Sequence, residues 1–275
     1  MESKKEEKEN EFFVDEVLRK ELDQIKDKVV NKDRDFVLVV DGEEGCGKSV
    51  LAMQIGKYLD PSLNLDNISF TSDQFIERLK NTSPKTCVIL DEAYNAASSR
   101  GALTEVNRSL IGVATEMRQK NLFVIIVLPT FFDLDRYFAL WRCRALIHVY
   151  FNKRGERGQY IIFPKSKKKY LYLHGKKFYN YSYPKSPFPP CRFNEHYPVD
   201  ENEYRKKKAE AFKERTVSNQ AKRWQLQRDA LIKESYHNLG VKSSQFKDIF
   251  IKWGAKPLTQ REIRYRVQLQ ETKDE

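Results

Sequence analysis

The run Phe36-Val37-Leu38-Val39-Val40-Asp41-Gly42-Glu43-Glu44-Gly45-Cys46-Gly47-Lys48-Ser49-Val50 decides the fold. Its first five residues are apolar with no alternation, the pattern of a strand buried on both faces. The spacing Gly42-x-x-x-x-Gly47-Lys48-Ser49 then fits a phosphate-cradling loop. Glycines let the backbone wrap phosphate oxygens with inward-pointing N–H groups. A helix expected from Lys48 to about Leu59, stopped by Pro61, offers its positive end to the same charge. In such a loop Lys48 reaches the β- and γ-phosphates of a nucleotide, and the Ser49 hydroxyl holds Mg²⁺. Gly42, Glu43, Glu44, Gly45, Cys46, Gly47, Lys48, Ser49 and Val50 are therefore the candidate nucleotide contacts.

Working outward, strands and helices alternate. Apolar positions from Phe12 to Val29 recur at helical spacing. After the loop and its helix, a short strand is expected at Ile68-Ser69-Phe70. A helix over Asp73 to Lys80, capped by Thr71 or Ser72, follows. Buried strands are expected at Thr86–Leu90, Phe123–Leu128 and Ala145–Phe151. Helices are expected at Leu103–Lys120 and Leu134–Trp141. This order predicts a mostly parallel sheet with helices on both faces.

The second chemical signal is Cys87-Val88-Ile89-Leu90-Asp91-Glu92. An apolar strand delivers two carboxylates at its C-terminal end, the edge where open α/β sheets bind ligands. Asp91 fits a Mg²⁺-organising acid, beside Ser49. Glu92 fits the base that orients or deprotonates an attacking water.

Together these motifs resemble the additional-strand, catalytic-glutamate division of P-loop NTPases, with a RecA/FtsK-like core. In that division an extra strand lies between the phosphate-loop strand and the acid-bearing strand, and Phe123–Leu128 would supply it here. More narrowly, residues 34–151 look like the FtsK and HerA DNA translocases and their Zot-like and viral genome-packaging relatives. The stretches carrying this are Glu116-Met117-Arg118-Gln119-Lys120-Asn121-Leu122 and Trp141-Arg142-Cys143-Arg144-Ala145-Leu146-Ile147. The chain departs from those translocases at Leu128-Pro129-Thr130, where they carry a glutamine; Thr130 is the candidate γ-phosphate sensor in its place. The resemblance implies ATP and Mg²⁺, a homo-oligomeric ring, and an arginine given by a neighbouring subunit. Arg118 is the first candidate, then Arg142 and Arg144, with Arg100 and Arg108 behind. It also implies DNA as partner, and partner proteins of a virus or mobile element.

Charge supports an acidic partner. Residues 1–150 hold 21 Lys+Arg and 25 Asp+Glu, whereas residues 151–275 hold 29 and 14, so the excess positive charge lies in the second part. Lys165, Lys167, Lys168, Lys169, Lys176 and Lys177 interleave with Tyr170, Tyr172, Tyr179, Tyr181 and Tyr183. This reads as a β-hairpin turning at His174-Gly175. It either offers lysines to phosphates and tyrosines to bases, or packs its tyrosines on the core. Pro184–Pro198 reads as a linker, Glu201–Lys233 as a charged helix, and residues 243–253 and 259–270 as two short helices open to a helix-turn-helix reading.

The expected organisation is an N-terminal tail and helix over 1–33 and an ATPase core over 34–164. A basic hairpin and linker over 165–198 and a basic helical region over 199–275 follow. In 275 residues no stretch reaches the roughly 18 unbroken apolar residues of a membrane helix. The charged N-terminus lacks a secretory apolar region, so a cytoplasmic location is expected. The four scattered cysteines form no metal or redox motif. The expected function is an ATP-hydrolysing DNA motor for translocation or packaging. The alternatives are an AAA+-like loader acting on a partner protein, a non-hydrolysing nucleotide-binding structural protein, or a small-molecule kinase.

Overall fold

The computed structural model describes residues 12–91, 107, 110–238, 240–252, 259, 262 and 263. Its contacts divide the chain into two compact units, residues 1–208 and 209–275. The first unit thus runs past positions 164 and 198, where the sequence suggested boundaries.

The first unit is built on a seven-stranded sheet. Its strands are β1 (Phe36–Gly42), β2 (Ile68–Ser69), β3 (Cys87–Asp91), β4 (Phe123–Val127), β5 (Ala145–Tyr150), β6 (Gln159–Pro164) and β7 (Cys191–Arg192). Their spatial order is β2-β3-β4-β1-β5-β6-β7. The first five strands run parallel; β6 is antiparallel to β5, and β7 to β6. The interposed strand expected at Phe123–Leu128 is β4, which pairs with β1 on one side and β3 on the other.

Both faces of the sheet are covered, which is why β1, β3 and β4 are buried at every residue. Val37, Val39, Val88, Leu90, Val124 and Ile126 share a core with Phe75, Met117, Phe138 and Leu171. The first two of these partners belong to α3 (Ser72–Asn81) and α4 (Ala114–Gln119). The alternate residues meet the other layer. There α2 (Lys48–Leu59) packs against β3 and β4, and Gly56 approaches Ile89 and Cys87 so closely that an added Cβ would lie 3.1–3.2 Å from them. The helix α1 (Glu16–Asn31) contacts α2. Asp15 caps α1 by accepting from the Val17 N–H, and Thr71 caps α3 by accepting from Gln74. All four cysteines are buried free thiols.

Two local expectations are corrected. Residues 165–175 form a helix, α5 (Lys165–Gly175), and not the first arm of a β-hairpin. The buried positions are Lys168, Leu171, Tyr172 and Gly175, a spacing of three and four that fits one helical face. Gly175, the last residue of α5, has no room for a side chain: a Cβ there would lie 2.4 Å from the Asn180 carbonyl oxygen and 2.7 Å from the Phe132 ring. The helix expected over Leu134–Trp141 starts later, at Arg136, and widens into a π-helical turn over Phe138–Arg142, with a separate 3-10 turn before it at Phe131–Asp133. The wide turn, closed by the Cys143 N–H on the Phe138 carbonyl, buries Phe138, Ala139 and Leu140 in succession.

A long helix, α6 (Glu201–His237), begins in the first unit and continues into the second. In the second unit it is followed by α7 (Ser243–Lys252). Ile232, Phe246 and Ile263 form a small core with Tyr236, Val241 and Phe250 around them. Thr259 and Glu262 cap each other reciprocally, the helix start expected at Thr259. The rest of residues 259–270, and with it the helix-turn-helix reading, lies outside the described residues. So do the tail at 1–10 and residues 103–106, 108 and 109 of the helix expected over Leu103–Lys120; the described remainder of that stretch is helical apart from turns at Val113 and Lys120.

Candidate functional site

The loop after β1 departs from ordinary backbone where its glycines stand. Gly42, Gly45 and Gly47 have φ of +139°, +79° and +97°. A Cβ on Gly42 would lie 2.0 Å from the Val149 carbonyl oxygen, and one on Gly47 would lie 2.8 Å from the Phe193 ring. The loop is thus shaped by its own chirality and by the walls behind it. Cys46 is buried against Val149, whereas Glu43 and Glu44 point to solvent. Lys48 donates to the Gly42 carbonyl at 2.7 Å and the Glu43 carbonyl at 2.6 Å, so its ammonium lies inside the loop's curve. Burial pulls the Lys48 pKa below the usual lysine value.

Ser49, in the first turn of α2, donates from Oγ to Oδ1 of Asp91 at 3.1 Å. Asp91 ends β3, two strands away from β1. One hydroxyl and one carboxylate, fixed on a helix start and a strand end, make a donor pair suited to a hard divalent cation that keeps other ligands of its own. A cation already stands there: Nζ of Lys208 is 3.0 Å from Asp91 Oδ2 and 3.4 Å from Ser49 Oγ. Tyr204, one turn earlier in α6, donates its hydroxyl to Asp91 Oδ2 and receives Lys208 at 3.0 Å. Burial, with the Asp91 charge second, raises the Tyr204 phenol far above its ordinary pKa. Its ring packs on Phe70 and Tyr197.

Below the loop lies a second polar cluster. Asp41 is fully buried, and its Oδ2 accepts from the Phe131 N–H at 2.7 Å and from the Tyr181 hydroxyl. Its Oδ1 lies 2.9 Å from His148 Nδ1. The His148 and Tyr181 rings stack with centroids 3.8 Å apart. Thr130 shares a hydrogen bond of 2.9 Å with the Tyr181 hydroxyl and accepts from the Phe132 N–H. Thr130 follows β4, on the same sheet edge as the loop, with its hydroxyl engaged in this cluster.

The structure therefore brings together the loop, Lys48, Ser49, Asp91 and, beside them, Thr130. It does not bring Arg118 to them. Arg118 precedes β4, at the opposite sheet edge, pairing with Asp33 at 3.3 Å and Asn121 at 2.8 Å. Arg142 is held in a half-buried ion pair with Asp35 at 2.5 Å. The Arg144 backbone N–H bonds Val37 at that same far edge. Glu92, Arg100 and Arg108 lie outside the described residues. Sequence reading missed Tyr204, Lys208, Tyr181 and Phe193 as neighbours of the loop. Each lies over 100 residues from the loop in sequence and has no motif of its own. Only the tertiary fold reveals them.

No family model, curated protein or solved structure matches the chain.

Proposed function

We propose that the chain is an ATP-hydrolysing P-loop motor that acts on DNA. The observation carrying this reading is the 3.1 Å approach of Ser49 to Asp91 across an interposed strand, with Lys48 inside a glycine-shaped loop. That strand arrangement supports the additional-strand division. Lys48 and the loop N–H groups would hold the phosphates. Ser49 and Asp91 would hold Mg²⁺, which when bound neutralises phosphate charge. Glu92, the residue after Asp91, would orient the attacking water.

The DNA side of the proposal rests on charge: residues 151–275 carry 29 Lys+Arg against 14 Asp+Glu. The ring rests on position. Arg118 stands at the sheet edge opposite its own loop, so any role at a phosphate belongs to a neighbouring subunit. Virus or mobile-element origin, and translocation or packaging as the task, come from the resemblance alone. Among the described residues, no helix is long and apolar enough to cross a membrane.

The test is steady-state ATP turnover with and without double-stranded DNA, for wild type and Glu92→Gln, across a range of salt. DNA stimulation that weakens with salt and disappears in Glu92→Gln supports the motor. Turnover indifferent to DNA contradicts it. A second reading, a nucleotide-binding switch without turnover, is favoured by the lysine standing at the cation position. ATP binding by wild type without turnover above background, and so no change in Glu92→Gln, would support that second reading.

A further inference from the structure

The outer face of α5 and the segment after it carries a cluster of large aromatic side chains open to solvent. Phe178 is 74% exposed, Tyr183 65%, Trp141 59% and Tyr170 57%. Soluble proteins seldom leave so many large rings uncovered side by side without using them. Ring and cation contacts join them in three groups: Trp141 with Lys169, Tyr170 with His174 and Tyr183, and Phe178 with Lys177. Lys169 Nζ lies 3.7 Å from the Trp141 ring centroid. Tyr170 stacks on His174 at 6.2 Å, and His174 meets Tyr183 edge-on at 6.0 Å. Lys177 stands 5.2 Å from the Phe178 ring.

The charge of the segment selects the occupant. Residues 157–194 contain nine Lys+Arg and no Asp or Glu. One of these lysines, Lys168, is buried and bonded to the Ala139 carbonyl, so it belongs to the core. Lys169 and Lys177 lie against the exposed rings of Trp141 and Phe178, whereas Lys176 is bonded to the hydroxyl of the buried Tyr172. Uncovered π-faces interleaved with ammonium groups match a chain with flat apolar bases and a regular line of phosphates. A duplex offers only the phosphates, because its base faces are stacked on one another. The aromatic half of the surface therefore has a use only for single strands.

We propose that this face, centred on Trp141, Tyr170, Phe178 and Tyr183, binds single-stranded DNA by base stacking, with Lys169 and Lys177 on the phosphates. The choice of DNA rests on the function proposed above; the stacking surface itself does not depend on ATP. The face is tied to the loop. Tyr181, two residues before Tyr183, bonds Asp41, which immediately precedes Gly42.

The test is fluorescence anisotropy of a labelled oligothymidine, without nucleotide, against a duplex of the same length and a single-stranded RNA. The full chain is used as wild type, Tyr170→Ala, Phe178→Ala and Lys177→Gln. Thermal melting checks that each variant is folded. The single strand is expected to bind more tightly than the duplex or the RNA. Each aromatic variant should weaken it by about 5- to 100-fold with an unchanged salt slope. Lys177→Gln should lower the slope of log affinity against log salt by about 0.7. Folded aromatic variants that bind oligothymidine like wild type overturn the proposal, as does a preference for duplex. Tighter binding of RNA overturns the assignment to DNA. If those variants instead change the sedimenting mass and leave DNA binding intact, the face is a contact between copies of the chain and the proposal fails. ATP binding, measured separately on the same variants, should be unchanged. Its loss in wild type would overturn the nucleotide reading without touching this one.

Discussion

Nζ of Lys208 lies 3.0 Å from Oδ2 of Asp91, so an ammonium group stands where the proposed function needs Mg²⁺. Lys208 sits in the second turn of α6, and its partner Tyr204 in the first, so one helix start covers the strand end. A divalent ion and this ammonium compete for the same oxygens. Lys208→Met should therefore tighten Mg²⁺-dependent ATP binding, by about 3- to 30-fold if the contact is worth one or two charge-assisted hydrogen bonds. Titration of a fluorescent ATP analogue with each variant measures this. Weaker binding in Lys208→Met would instead make Lys208 a ligand for the nucleotide.

Gly42 has no room for a side chain. Its φ of +139° and the 2.0 Å gap to the Val149 carbonyl oxygen combine strain with a backbone clash. Gly42→Ala should cost at least about 3 kcal/mol, a fall in Tm of roughly 6–12 °C for a chain of this size. Differential scanning calorimetry reads it directly. A Tm within a degree or two of wild type would mean the loop relaxes freely.

Asp41 is a buried carboxylate with Phe131, Tyr181 and His148 gathered on it. Asp41→Ala strands those groups without a partner and should destabilise the fold by about 3–5 kcal/mol. Tyr181→Phe removes only one hydroxyl and should cost about 1–2 kcal/mol. Urea unfolding of the two variants should preserve that order.

Alkali should destabilise the protein from about pH 9. Burial raises all four thiols, Cys46, Cys87, Cys143 and Cys191, above the ordinary value of 9.0. Cys191 is pushed up to about 12, with the nearby Asp15 charge adding to burial. The unfolded chain then releases protons that the folded chain keeps. Stability is full below 9.0 and falls as pH rises towards the folded-state values, by up to about 1.4 kcal/mol per thiol per pH unit. The buried lysines Lys48 and Lys168, with lowered pKa values, act in the opposite sense, but the phenols of Tyr58, Tyr150, Tyr160, Tyr181, Tyr197 and Tyr204, raised chiefly by burial, add to the loss above pH 10. Tm measured from pH 7.5 to 10 should be flat at first and then drop, with a shallower drop in Cys191→Ala.

The central fold was legible because its signals are local. The runs at Phe36–Val40 and Phe123–Val127 are unbroken because both faces of β1 and β4 are covered, and Pro61 marks the end of α2. The position of β4 between β1 and β3 was also accessible, through the resemblance. Residues 165–175 misled because lysines and tyrosines interleave across 165–183 and Tyr170-Leu171-Tyr172-Leu173 alternates, whereas burial follows three-and-four spacing through Lys168, Leu171, Tyr172 and Gly175. A lysine reads as a surface residue, and nothing local says that Lys168 reaches the Ala139 carbonyl. The companions of the loop, Tyr204 and Lys208, lie on a helix whose letters spell only charge. Their contact with Asp91 spans more than 110 residues, which no window of sequence contains.

The most direct measurement of the central claim is equilibrium binding of ATP with and without Mg²⁺, for wild type, Lys48→Ala and Ser49→Ala. The account predicts binding that needs Mg²⁺ in wild type. It predicts at least about a tenfold loss in each variant, as expected when a charged or metal-held phosphate contact is removed. Ser49→Ala should lose most of the Mg²⁺ dependence and Lys48→Ala should keep it. Binding that ignores Mg²⁺ and both substitutions, or no binding by the folded wild type, would contradict the account.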